Sequence, residues 1–172
     1  MRYNIVITQR RERMKQNFVC CFTGHRNIDA ECTERLSEIL DGAIDKLIDA
    51  GVTTFRSGGA VGFDTFAALK IIEKKRTVPN VRLEFYLPCR DQSSRWDDYS
   101  KEAYEYILKH ADNIVYTSEK YSRGCMLERD RKMVDGCDFC IGYCTKTGGG
   151  TAYTLEYAKK SGVRTLNIAA MM

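Results

Sequence analysis

Ser57-Gly58-Gly59-Ala60-Val61-Gly62-Phe63-Asp64 joins an apolar run, Val52 to Phe55, to a helical run, Phe66 to Lys75. Three glycines between a strand and a helix let the chain turn tightly, present its N–H groups and approach a ligand without Cβ interference. That is the outline of a phosphate cradle. A second cluster, Gly148-Gly149-Gly150-Thr151, stands in the same relation to a strand from Asp138 to Cys144 and a helix from Ala152 to Lys160. Two such turns at the strand ends of one α/β sheet would share the crevice where open sheets of this kind bind ligands. Glycines at strand-to-helix turns also serve backbone geometry alone, so it is the pairing of two clusters, each with polar partners, that favours a ligand. The first turn matches neither G-x-G-x-x-G nor the Walker pattern, and neither a standard dinucleotide site nor an ordinary nucleoside-triphosphate site is expected.

Other polar groups are spaced to join these turns. Thr23-Gly24-His25-Arg26 follows the buried-strand run Asn17 to Phe22, the place of a ligand-facing loop. There His25 could protonate and Arg26 could hold a phosphate or carboxylate in a bidentate grip; equally, Arg26 could pair with an acid while His25 caps a turn. Asp64 either caps the helix that follows it or takes ribose hydroxyls, since an acid beside a phosphate would repel it. Gln92 and Trp96 lie on a loop after the strand Val81 to Leu87, where the indole suits a purine wall or plain packing. Arg129, on a helix from Cys125 to Val134, could reach a ligand phosphate between the glycine turns.

These residues need a scaffold, and the alternation of elements supplies one. A helix from Thr33 to Gly51 carries Leu36, Ile39, Leu40, Ala43, Ile44, Leu47 and Ile48 on one face. Further elements are a helix from Asp97 to His110, a short strand from Asn113 to Thr117 and a last strand from Val163 to Ile168. Strand and helix alternate throughout, which calls for an α/β Rossmann-like sandwich: a mostly parallel sheet with helices on both faces.

Composition narrows the function. With 172 residues, 44% hydrophobic and 29% charged, the chain suits a single domain over 17–172. Residues 1–16 form a basic arm with Arg2, Arg10, Arg11, Arg13 and Lys15 against Glu12. Removing those five from the 27 Lys and Arg, and that one from the 23 Asp and Glu, leaves the rest of the chain formally neutral. A neutral body argues against nucleic acid as a partner, although the arm could touch it or another acidic partner. Apolar stretches are strand-length and no apolar leader core precedes them, so a cytoplasmic protein without a membrane partner is expected. Cys137 to Cys144 reads as a strand with Phe139 and Ile141 on one face and Cys140 on the other. Free buried thiols are therefore expected, not a metal site, and no cofactor is implied. A homo-oligomer stays open.

As an ordered set, several motifs resemble the YpsA-like branch of the SLOG superfamily, a Rossmann-like group that also holds the DprA and LOG branches. They are Cys21-Phe22-Thr23-Gly24-His25-Arg26, the turn Ser57 to Asp64, Leu87-Pro88-Cys89 with Gln92 and Trp96, Arg129 with Met133-Val134-Asp135, and Gly149-Gly150-Thr151 with Tyr157-Ala158. The resemblance covers nearly all of Phe18 to the end and implies a pocket for a nucleotide or nucleotide-derived ligand, ADP-ribose-like molecules included. The LOG branch cleaves the N-glycosidic bond of nucleoside monophosphates and carries P-G-G-x-G-T-x-x-E. Here no proline precedes the glycines, Thr154 fills the glutamate's register, and Glu156 lies two residues on, about 200° around a helix. Three readings follow: a binding or sensing module, a nucleotide N-glycosidase with Asp64 or Glu156 as its carboxylate, and DprA-like nucleic-acid binding. The missing glutamate favours the first.

Overall fold

The computed structural model describes residues 17–172; the expected basic arm, 1–16, lies outside the described residues. Six strands, β1 (Phe18–Gly24), β2 (Val52–Ser57), β3 (Arg82–Leu87), β4 (Asn113–Tyr116), β5 (Phe139–Tyr143) and β6 (Arg164–Asn167), form one parallel sheet. Their order is β4-β3-β2-β1-β5-β6, so the winding direction reverses between β1 and β5. A crevice opens at such a reversal because the loops leaving the two neighbouring strands part to opposite faces.

Five α-helices connect the strands: α1 (Thr33–Asp49), α2 (Phe63–Lys75), α3 (Asp98–Lys109), α4 (Cys125–Val134) and α5 (Gly150–Lys160). A parallel strand buried on both faces must be apolar on both, and β1 shows it. Cys20 and Phe22 enter a core with α1, α2 and α3, while Cys21 joins Met133, Val134, Leu155 and Ala158 of α4 and α5 on the other face. On α1 the residues Leu36, Ile39, Leu40, Ala43 and Ile44 are buried, as the 3.6-residue period requires. Ile141 and Cys140 of β5 fall in opposite cores, as their alternation predicts.

Local departures from the expected boundaries have physical causes. The helix expected from Phe66 begins at Phe63, because Gly62 takes φ 89° and Phe63 packs edge-on to Phe22 with ring centroids 6.4 Å apart. Asp64 thereby falls in the first turn of α2, at 5% exposure. β6 stops at Asn167 because that side chain accepts from Ala169 N and starts a final 3-10 turn. No helix among the described residues is long and apolar enough to cross a membrane.

Candidate functional site

Three loops meet at the carboxyl ends of β1, β2 and β5. The hub is His25. Its backbone N–H donates to Tyr143 O of β5 (3.2 Å), and its carbonyl accepts from Phe63 N at the start of α2 (3.0 Å). Its ring Nε2 accepts from Thr145 N at 2.8 Å, so the neutral ring carries its proton on Nδ1. Burial, followed by the charge of Lys146, holds the ring below its ordinary pKa. A group whose folded pKa is depressed contributes stability above its unfolded value and loses it as the pH falls through the folded one. Acidification below the usual imidazole range is therefore expected to free the Thr145 to Thr147 loop. Faster amide exchange at Thr145, in step with the His25 ring titration by NMR, checks this.

Between the loops lies a cavity of about 280 Å³, lined by Thr23, Gly24, His25 and Arg26 from β1 and its loop, and by Ala60 and Asp64 from the first glycine turn. Gly150 and Thr151 close it from the second turn, so both turns open onto one space. Met126, Arg129 and Asp130 of α4 complete the wall. Of these, Met126 and Asp130 are not singled out by motif: the helical period sets Met126 on the Arg129 side of α4 but turns Asp130 about 100° away from Arg129, with Lys132 expected to share the Arg129 face instead, and it is the Arg129–Asp130 ion pair that brings Asp130 to the wall.

The two turns differ in what their amides do. In the first, Gly59 N donates to Ser57 Oγ (3.2 Å), Ser57 Oγ donates to Asp64 O (3.1 Å), and the Asp64 carboxylate lies near the amides of Ala60 and Gly58. The acid thus faces the amides of its own loop. Burial pushes Asp64 up to about 6, with Asp130 adding to the rise and Arg129 and those amides opposing it. Ser57, Gly58 and Gly59 lie beneath the cavity wall and do not line it. A Cβ on Gly58 would collide with the Arg129 guanidinium, and this close approach lets Arg129 Nη1 reach Gly58 O (2.6 Å) and Tyr86 O (3.3 Å). Arg129 Nε donates to Asp130 Oδ1 at 2.7 Å, and the pair is nearly buried.

The second turn is open. Gly149 adopts φ 94° and ψ −179°, a conformation essentially restricted to glycine, and α5 has no side-chain cap among the described residues. Among the described residues, nothing beyond the adjoining chain lies within 4 Å of a Cβ built on Gly148, Gly149 or Gly150. The first N–H groups of α5 have no intrahelical partner and stand at the positive end of its dipole. Thr154, wholly buried, donates to Gly150 O at 2.8 Å and holds this turn. Glu156 is not brought to the cavity; it lies on the outer side of α5, 3.4 Å from Lys160, with 58% of its side chain exposed.

Arg26 and Met126 are shared with a second cleft of about 460 Å³, walled by Gln92, Arg95, Trp96 and Tyr121. Trp96 is fixed edge-on against Tyr104, centroids 5.1 Å apart. Gln92 Nε2 donates to Gly59 O (3.1 Å) and Gly58 O (3.4 Å), while its Oε1 is buried with no hydrogen-bond partner among the described residues. Arg26 makes no ion pair among the described residues. No cluster of His, Cys, Asp or Glu arranged for a metal occurs among the described residues.

Comparison with known proteins places these features in context. A YpsA family model, described as the YspA SLOG family, matches residues 20–170. A UPF0398 protein of Halalkalibacterium halodurans is 32% identical over 117 residues, covering 66% of this chain and 62% of the relative. The chain thus spans about three fifths of that relative's length. Among solved structures, DNA processing protein A of Helicobacter pylori has a TM-score of 0.62 at 19% identity, covering 90% of this chain and 66% of that one. DNA processing protein A of Streptococcus pneumoniae also gives 0.62, at 17% identity, covering 86% and 49%. At these identities the likeness shows the fold alone. The Helicobacter protein is described as binding single-stranded DNA, so the expectation against nucleic acid gains no support from it.

Proposed function

The chain belongs to the YpsA SLOG family, and from that premise we propose that it binds a nucleotide or nucleotide-derived ligand, ADP-ribose-like in build, in the crevice between β1 and β5. The observation that carries this reading is that two unlike spaces adjoin, with Arg26 and Met126 lining both. One is small and polar, with the open amides of α5 for phosphate and the carboxylates of Asp64 and Asp130 for sugar hydroxyls. The other has an aromatic wall for a base and a buried acceptor, Gln92 Oε1, that an amino or hydroxyl donor would satisfy. Together their volumes fall in the range of small-molecule sites.

Arg26 is the cation left to meet a phosphate at the mouth, because Arg129 is already held by Gly58 O, Tyr86 O and Asp130. Arg26→Ala is therefore expected to weaken binding by about tenfold, the scale of one charge-assisted hydrogen bond, with little change in unfolding temperature. Titration calorimetry against ADP-ribose, AMP and NAD measures it. No heat with any of the three would remove the reading.

The Asp64 carboxyl, raised to about 6 beside Asp130, favours a second reading: hydrolysis of a glycosidic bond, with one group donating a proton and the other stabilising the sugar cation. Base released from nucleoside monophosphates, and abolished by Asp64→Asn, would place this reading first.

A further inference from the structure

Away from the crevice, four thiols gather where β1 and β5 run side by side. Cys21 and Cys140 are register partners on neighbouring strands, both fully buried, with Cys20 facing the opposite core. Cys137, in the turn between α4 and β5, is partly buried and packs against the core cluster that holds Cys21 and Cys140, where the Cys21 thiol donates to Phe139 O at 3.7 Å. Cys137 Sγ also lies 3.7 Å from Nη1 of Arg56 and 3.2 Å from Met133 O. Arg56 is itself immobilised: Nη1 donates to Asp135 O (2.8 Å) and Met133 O (3.2 Å), Nε pairs with Glu84 (3.3 Å), and its guanidinium sits 4.8 Å from the Tyr86 ring centre. None of these groups lines either cavity of the proposed ligand site.

A fixed guanidinium against a partly exposed cysteine, with a second thiol in the core cluster it packs on, combines what an oxidant-sensitive cysteine needs: thiolate character, access and a resolving partner. We propose that Cys137 is a modification site for hydroperoxides, with Cys21 as its resolving thiol. The Cys137 thiolate attacks the terminal peroxide oxygen, so that an S–O bond forms as the O–O bond breaks, and hydroxide or alkoxide leaves and is protonated by water. The sulfenic acid then condenses with the Cys21 thiol, forming an S–S bond and releasing water; the hydroperoxide is the oxidant, reduced by two electrons. In support, the neighbouring Cys21 thiol and then the charge of Arg56 hold the Cys137 thiol below its ordinary pKa, against burial and the nearby Asp138.

Cys32 provides the internal reference, being half-buried like Cys137 but without a cation in hydrogen-bond contact among the described residues. The full chain is treated with limiting hydrogen peroxide, with and without dimedone, and its peptides are mapped by mass spectrometry. Expected are a dimedone adduct on Cys137 at least about tenfold above that on Cys32, and a Cys21–Cys137 cross-linked peptide when dimedone is omitted. Cys21→Ala should raise the adduct yield and abolish the cross-link, and Arg56→Lys, which keeps a cation, should retain more labelling than Arg56→Met. Equal adducts on Cys137 and Cys32, or a first disulfide between any other pair, overturns the proposal.

Discussion

Gly58→Ala is expected to destabilise the protein by about 2–3 kcal/mol and to abolish ligand binding, although alanine there meets no backbone restriction. The added methyl would strike Arg129 Nη1, stand 2.6 Å from its Cζ and 2.7 Å from Asp64 Oδ2. Overfilling a packed site costs about 1–3 kcal/mol, and here it also displaces a buried ion pair from its hydrogen bonds. For a chain of this size that corresponds to roughly 5–10 °C in unfolding temperature. Gly148→Ala is the control, since among the described residues nothing beyond its chain neighbours lies within 4 Å of its Cβ; it should stay within about 0.5 kcal/mol of the parent. Thermal and urea denaturation of the two variants give the comparison. Similar losses in both would mean that the Gly58–Arg129 contact is not what makes the first turn intolerant.

The second large effect concerns Asp64 and Arg129. Asp64 rises from the 3.8 of an exposed carboxyl to about 6, so the folded state binds its proton more tightly than the unfolded chain. Its contribution to stability is complete below about pH 4 and is lost as the pH rises through 6, a difference of about 3 kcal/mol for two units. Asp64→Asn cannot titrate. The stability of the parent relative to this variant should therefore fall between pH 4 and 6, a subtraction that cancels carboxylates such as Asp112, which are depressed and trend the other way. Arg129→Met removes the cation facing both acids and is expected to cost about 3–5 kcal/mol at neutral pH. In acid the loss should shrink as Asp64 becomes neutral, and the double variant with Asp64→Asn should recover part of it. Urea unfolding across that pH range tests all three, and a flat difference between parent and Asp64→Asn would mean that the Asp64 carboxyl is not held up by burial.

Much of the architecture was written in local patterns. The apolar run ending at Phe22 identifies a strand covered on both sides, and the period from Leu36 to Ile44 identifies the face α1 buries, because each is a property of adjacent residues. The glycine clusters mark the turns, and both reach the cavity for the same reason: parallel strands deliver all their carboxyl ends to one edge of the sheet. Only the tertiary structure decided which polar groups stay free there. Asp64 folds back on the amides of its own turn, Arg129 is drawn to the carbonyls of Gly58 and Tyr86, and Glu156 faces Lys160 in solvent. The Arg129 outcome depends on where α4 lands after crossing from β4 to β5. That placement is set by the burial of Met133 and Val134 against Cys21 and Cys140, contacts between residues more than a hundred positions apart in the case of Cys21. A spacing rule reads neighbours along one element and has no access to the orientation of another, so it names the donors and leaves their occupancy to the packed core.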